Sequence, residues 1–135
     1  MAVNAIARWD GSAWSALGSG MYAGYLGVLQ VSALTTFANP SPALYAGGRF
    51  DAAGGVNASD IARWDGASWS SLGLGMNGPP NANHYVSALV VFDDGSGQSL
   101  VAGGLFNSAG GTPSPPAIRQ MFSRLTFRSP RSMLP

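Results

Sequence analysis

His84 is the one histidine of this chain, and it sits in a loop rich in Pro and Asn. With serines and six aspartates elsewhere in the sequence, it raises the question of a hydrolytic triad, in which a carboxylate orients a histidine that activates a hydroxyl. Nothing in the spacing selects a serine for it. Its counterpart in an internal repeat, taken as Gln30, carries no base. A loop histidine is therefore the expectation, and no catalytic residue is assigned. Asp93 and Asp94 before Gly95 resemble the start of a Ca²⁺ loop, yet the spaced acidic ligands and closing Glu of an EF-hand are missing. They read as turn-forming acids. Arg8 and Arg63 each precede a Trp, which favours stacking or a bond to a neighbouring Asp over ligand binding. With no cysteine in the chain, disulfides, thiolate metal sites and cysteine nucleophiles are excluded. No metal or cofactor site is expected.

What must position these groups is a repeat. Ile6-Ala-Arg-Trp-Asp-Gly-Ser-Ala-Trp-Ser-Ala-Leu-Gly-Ser-Gly-Met21 returns as Ile61-Ala-Arg-Trp-Asp-Gly-Ala-Ser-Trp-Ser-Ser-Leu-Gly-Leu-Gly-Met76, identical at 12 of 16 positions. Val31–Phe37 matches Val86–Phe92, and Leu44–Phe50 matches Leu100–Phe106. The offset is 55 residues, growing to 56 before Leu100. A period of this size marks units that bury their faces against one another.

The 135 residues are a one-domain length, with 19 Gly and neither Lys nor Glu. Short apolar runs separated by Gly, Asp, Asn, Ser and Pro describe a turn-rich all-β protein. The formal charge of +1 hides an asymmetry: residues 1–116 hold three Arg against all six Asp, and the last 19 residues hold four Arg and no acid. A solvated basic tail is expected there, with no nucleic-acid partner. No signal peptide is visible. Leu17–Phe37 is uncharged and long enough to span a bilayer, but its glycines, and the Asn, Pro and His of its counterpart, argue against a membrane span.

Four strands per unit follow from the apolar runs. The first covers Val31–Phe37 and Val86–Phe92, and the second Ala43–Gly48 and Ser99–Gly104. The third covers Asn4–Asp10 and Asp60–Asp65, and the fourth Ala13–Gly18 and Ser68–Gly73. Asp10-Gly11 and Asp65-Gly66 are tight-turn signals between third and fourth strands. The chain then divides into a half unit over 1–30, a complete unit over 31–85, a half unit over 86–112 and a divergent, irregular basic tail over 113–135. After Thr112 a third Ile-Ala-Arg-Trp-Asp-Gly is due; Ile118 holds the Ile position and the pattern is then lost. One expectation from this break is a fragment of a longer repeat protein. The other is several chains pooling their units into one ring.

A Gly pair closing the second strand (Gly47, Gly48; Gly103, Gly104), a Trp-Asp turn (Trp64, Asp65) and a Trp and Leu in the fourth strand (Trp69, Leu72) resemble the kelch-type β-propeller blade. The wording Ala-Gly-Gly-x-Phe-x-x-Ala-Gly-Gly followed by Ile-Ala-Arg-Trp-Asp-Gly is closer to tandem repeats of planctomycete-like secreted or surface proteins and of fungal cortical polarity markers. The resemblance covers residues 4–111. It implies about two four-stranded blades, with Gly pairs where backbones approach too closely for a Cβ and Trp9, Trp14, Trp64 and Trp69 as spacers between sheets. Kelch copper oxidases need a Cys-modified Tyr and several His, which this chain lacks.

The resulting expectation is a non-enzymatic scaffold or protein-binding repeat, extracellular or at the cell surface, with the loops at 49–57 and 105–112 as the first place to seek a ligand. Two alternatives stand beside it. One is a carbohydrate-binding module using Trp faces; the other is a piece of a propeller enzyme whose site lies outside the chain.

Overall fold

Asp65 shows how the local sequence starts a hairpin. Its Oδ1 accepts the N–H groups of Ala67 and Ser68, both at 2.8 Å, while its own N–H reaches the Ser68 carbonyl at 3.2 Å. Gly66 carries the positive φ of +103° that the turn demands. Asp10 makes the same bonds to Ser12 and Ala13, around Gly11 at +104°. Each turn joins a short pair: β1 (Ala7–Trp9) with β2 (Trp14–Ala16), and β8 (Ile61–Trp64) with β9 (Trp69–Ser71).

The computed structural model describes residues 3–24, 28–38, 41–77, 83–110, 112–113 and 125–128. The fold is all-β and built of antiparallel sheets, with no helix among the described residues. Its centre is a four-stranded sheet in sequential order: β4 (Gln30–Ala38), β5 (Pro42–Arg49), β8 and β9. These are the four strands expected for the complete unit. In the next unit β11 (Tyr85–Asp93) pairs with β12 (Gln98–Leu105). A bulge at the same place in both units, Val31/Ala33 and Val86/Ala88, bends the first strand. The second glycine of each pair lies opposite that bulge. A Cβ on Gly48 would come within 2.1 Å of the Gln30 carbonyl oxygen, and one on Gly104 within 2.2 Å of that of Tyr85.

Six short strands lie outside the expected pattern. β3 (Met21–Tyr22) pairs with β6 (Ala52–Ala53), which pairs with β7 (Val56–Asn57); β10 (Met76–Asn77), β13 (Ser108–Ala109) and β14 (Thr112–Pro113) repeat the arrangement. The loop after each Gly pair is thereby tied to the segment that ends the preceding repeat. Gly54 N–H meets the Gly20 carbonyl at 2.8 Å, and Gly110 meets Gly75 at 2.8 Å.

The tail departs from expectation. Residues 113–135 were expected to be irregular, but β15 (Leu125–Arg128) pairs antiparallel with the outer edge of β12. It takes the place beside β12 that β8 takes beside β5. An edge strand offers unpaired N–H and C=O groups to any segment that can extend along it, which is why a sequence unlike Ile-Ala-Arg-Trp fits there. Ile118 lies outside the described residues, as do Pro79, Pro80 and Asn81.

Two cores hold the layers together, and six equivalent positions recur in both. One core gathers Ile6, Leu17 and Met21 from the first repeat against Ala46, Phe50 and Ala53 of the next. The other gathers Ile61, Leu72 and Met76 against Ala102, Phe106 and Ala109. Each core thus joins the end of one repeat to the beginning of its neighbour. Fully burying one such large apolar side chain contributes about 1.5–3 kcal/mol. The repeat contains the material for these interfaces, and no unit completes its core alone.

Candidate functional site

At the end of the central sheet the chain reaches Asp60, just before β8, with a left-handed φ of +64°. The equivalent Ala5 has φ +68°, so the backbone geometry belongs to the repeat and the carboxylate is an addition of this copy. Asp60 is 1% exposed. Its N–H reaches the Phe50 carbonyl at 3.0 Å, and its Oδ1 accepts the Phe50 N–H at 3.1 Å. Its Oδ2 makes a short contact with Nδ1 of His84, whose side chain is 28% exposed.

Burial pushes the Asp60 carboxyl up from its ordinary value of 3.8, against the hydrogen bond from His84, which lowers it. The His84 imidazole is held above 6.5, chiefly by that same bond to Asp60. Asp60 is thus a buried carboxyl held by the Phe50 N–H on one oxygen and the His84 imidazole on the other. Nearby, the Arg49 guanidinium donates to Oδ1 of Asn83 at 2.6 Å, fixing the residue before His84 to the end of β5. Asp51 Oδ2 accepts the Gly24 N–H at 2.7 Å.

Chemically this supplies two of the three members of a triad. Among the described residues no Ser, Thr or Tyr hydroxyl is hydrogen-bonded to His84, and no three metal-ligating side chains come together. What the pair does in the structure is anchor the segment leading into β11. The sequence had paired His84 with Gln30. The strand registers correct this: Gln30 lies opposite Arg49 and Tyr85 opposite Leu105, so Gln30 matches Tyr85 and Leu29 matches His84.

The acidic turns are committed to the backbone. Asp93 Oδ1 accepts the N–H groups of Gly95 and Gly97 at 2.8 and 3.2 Å, and Asp94 Oδ1 accepts that of Ser96 at 3.0 Å. Asp10 and Asp65 are held below 3.8, chiefly by the N–H groups of Ala13 and Ser68 respectively, with Arg8 and Arg63 adding a smaller Coulombic pull. In the loops at 49–57 and 105–112, Phe50, Ala53, Phe106 and Ala109 are buried, while Asp51, Gly54, Gly55, Val56, Asn57 and Gly110 are exposed.

The tryptophans divide. Within each hairpin the paired rings lie 5.3 Å apart, tilted by 49° in Trp9–Trp14 and 51° in Trp64–Trp69. Trp69 is 5% exposed, whereas its equivalent Trp14 is 60% exposed. Trp64 is half-buried and Trp9 is exposed. The same asymmetry appears at the other end of the chain. Phe37 is 3% exposed and Phe92 is 54% exposed. A Cβ on Gly47 would lie 2.6 Å from Val86 Cγ1, while one on Gly103 would meet nothing within 4 Å. Beside β1 runs a groove of about 440 Å³ lined by Ile6, Arg8, Leu17, Leu34, Leu44 and Trp64.

Among the described residues no helix is long and apolar enough to cross a membrane. No protein-family model matches this chain, and no curated protein or solved structure matches it.

Proposed function

We propose that the chain is a kelch-like β-propeller repeat segment, acting as a non-enzymatic scaffold or protein-binding surface of a larger or oligomeric assembly. The observation that carries this reading is the paired asymmetry of equivalent residues. Trp69, Phe37 and Gly47 are covered by the neighbouring repeat, and Trp14, Phe92 and Gly103 face outward with the same local geometry. A unit whose two outer faces repeat its inner ones is built to continue. The sequential four-stranded antiparallel sheet, and the packing of its two faces against neighbouring sheets, fit the blade of a propeller. An extracellular or cell-surface location rests on the sequence resemblance alone.

Light scattering on the purified chain tests this. A discrete multimer supports a scaffold that completes itself by assembly; a single chain at every concentration, or polydisperse aggregate, counts against it.

The exposure of Trp9 and Trp14 at 52% and 60% also favours a second reading, a glycan platform. Oligosaccharide titration that shifts Trp fluorescence and is abolished by Trp14→Ala would support it over the scaffold.

A further inference from the structure

The central sheet shows how a complete unit is joined. β5 pairs with β8 in a register that sets Leu44 opposite Trp64, Tyr45 opposite Arg63 and Gly47 opposite Ile61. One repeat earlier, β1 has the sequence of β8 and the equivalent hairpin partner, but among the described residues no strand pairs with its other edge. One repeat later, β12 has the sequence pattern of β5, and its outer edge carries β15 in place of an Ile-Ala-Arg-Trp strand. Among the described residues, then, β1 is a third strand with no second strand beside it, and β12 is a second strand with no repeat-type third.

The faces beside these edges match in the same way. Within the chain, Gly47 leaves room for Val86 and Leu89 of the next sheet. The equivalents of those two residues are Val31 and Leu34, and Leu34 is 53% exposed in the groove beside β1. The equivalent of Gly47 is Gly103, with open space above it. Val86 is fully buried and Val31 only partly so.

We infer that these two ends are the halves of one interface: β12 of one copy of this chain pairs with the free edge of β1 in a second copy, displacing β15, while Gly103 settles over Val31 and Leu34. Applying the internal register, Leu100 comes opposite Trp9 of the second copy, Val101 opposite its Arg8 and Gly103 opposite its Ile6. The β1–β2 hairpin stays on its own core throughout, because pairing uses only its outer edge. The contact is heterologous, so copies add head to tail and close into a ring where the rotation permits. In a single chain β15 caps the β12 edge, which protects it from indiscriminate strand addition. This inference rests on the repeat-scaffold reading and specifies its partner as a second copy.

The absence of cysteine from the sequence gives a direct test in the full-length chain. Chains carrying Arg8→Cys are mixed with chains carrying Val101→Cys and oxidised slowly. These positions correspond to the opposed Arg63 and Tyr45. The expected result is a mixed disulfide of twice the 13.8 kDa chain mass, forming in preference to that between Arg8→Cys and a turn control, Ser96→Cys. Adding Phe127→Pro to the Val101→Cys chain removes a β15 residue directly opposite Leu100 and should increase the yield. Adding Gly103→Ala, which supplies the Cβ for which Gly47 has no room, should abolish the preference. Equal yields with Val101→Cys and Ser96→Cys overturn the inference. So does a yield unaffected by Gly103→Ala. A discrete multimer by scattering without the Arg8–Val101 link would leave the scaffold reading standing and remove only this interface.

Discussion

Trp69 donates its indole N–H to the Leu17 carbonyl at 2.8 Å across 52 residues of chain. This bond fastens the last strand of the central sheet to the residue just after β2 in the preceding repeat. It also satisfies a polar group inside a core where an orphaned carbonyl would cost about 1–3 kcal/mol.

Trp69→Ala should therefore destabilise the chain by about 3–5 kcal/mol, the usual cost of deleting a buried large aromatic ring. Trp14→Ala, at the equivalent but exposed position, should fall within about 0.5 kcal/mol of the parent. Urea denaturation of both variants checks this. Similar losses for the two would contradict the asymmetry between the inner and outer faces.

Gly47→Ala should cost about 1–3 kcal/mol, because its Cβ meets the buried Val86 side chain. Gly103→Ala has no such neighbour within the chain and should not lower the thermal midpoint of the dilute, single-chain species. Calorimetry on the two variants separates them. A Gly103→Ala chain that melts as early as Gly47→Ala would mean that the outer face is already covered.

The Asp60–His84 pair makes stability depend on pH. His84 is held above its unfolded value of 6.5, so its contribution is fully present below that pH and is lost as pH rises through the folded value. Asp60 is also raised, by burial, so its ionisation opposes folding in the same direction as pH climbs from 3.8. Asp10 and Asp65 are lowered, and their contributions disappear as pH falls through the acid range. The melting temperature should thus peak at weakly acid pH and decline above 6.5. His84→Gln should flatten the alkaline decline. A slope unchanged in that variant would show that the pair does not latch the segment before β11.

Strands and turns were legible in the sequence to within a few residues because their causes are local. Asp10-Gly11 and Asp65-Gly66 specify turns by a carboxylate that bonds the next amides and a glycine that accepts positive φ. The long first and second strands follow from β-branched and apolar runs. The short strands β3, β6, β10 and β13 were not legible: each has two residues and exists only because a loop of one repeat lies against the end of another. The Asp60–His84 contact was hidden for a related reason. Twenty-four residues separate the pair, and the carboxylate sits where the other repeat has Ala5, so the repeat pattern carried no signal for it.

The sequence by itself determined the unit: an all-β repeat of four strands, its Gly pairs and its acidic turns, since propensity and turn chemistry act over a few neighbouring residues. Only the tertiary structure decided which copy of each residue is inside. Trp14 and Trp69 have almost the same neighbours in sequence, yet one is exposed and the other buried. Burial is set by what packs against a face, and that surface comes from a different repeat. The same reason places β15 on the edge of β12, where available hydrogen-bonding groups, more than side-chain pattern, determine what can bind.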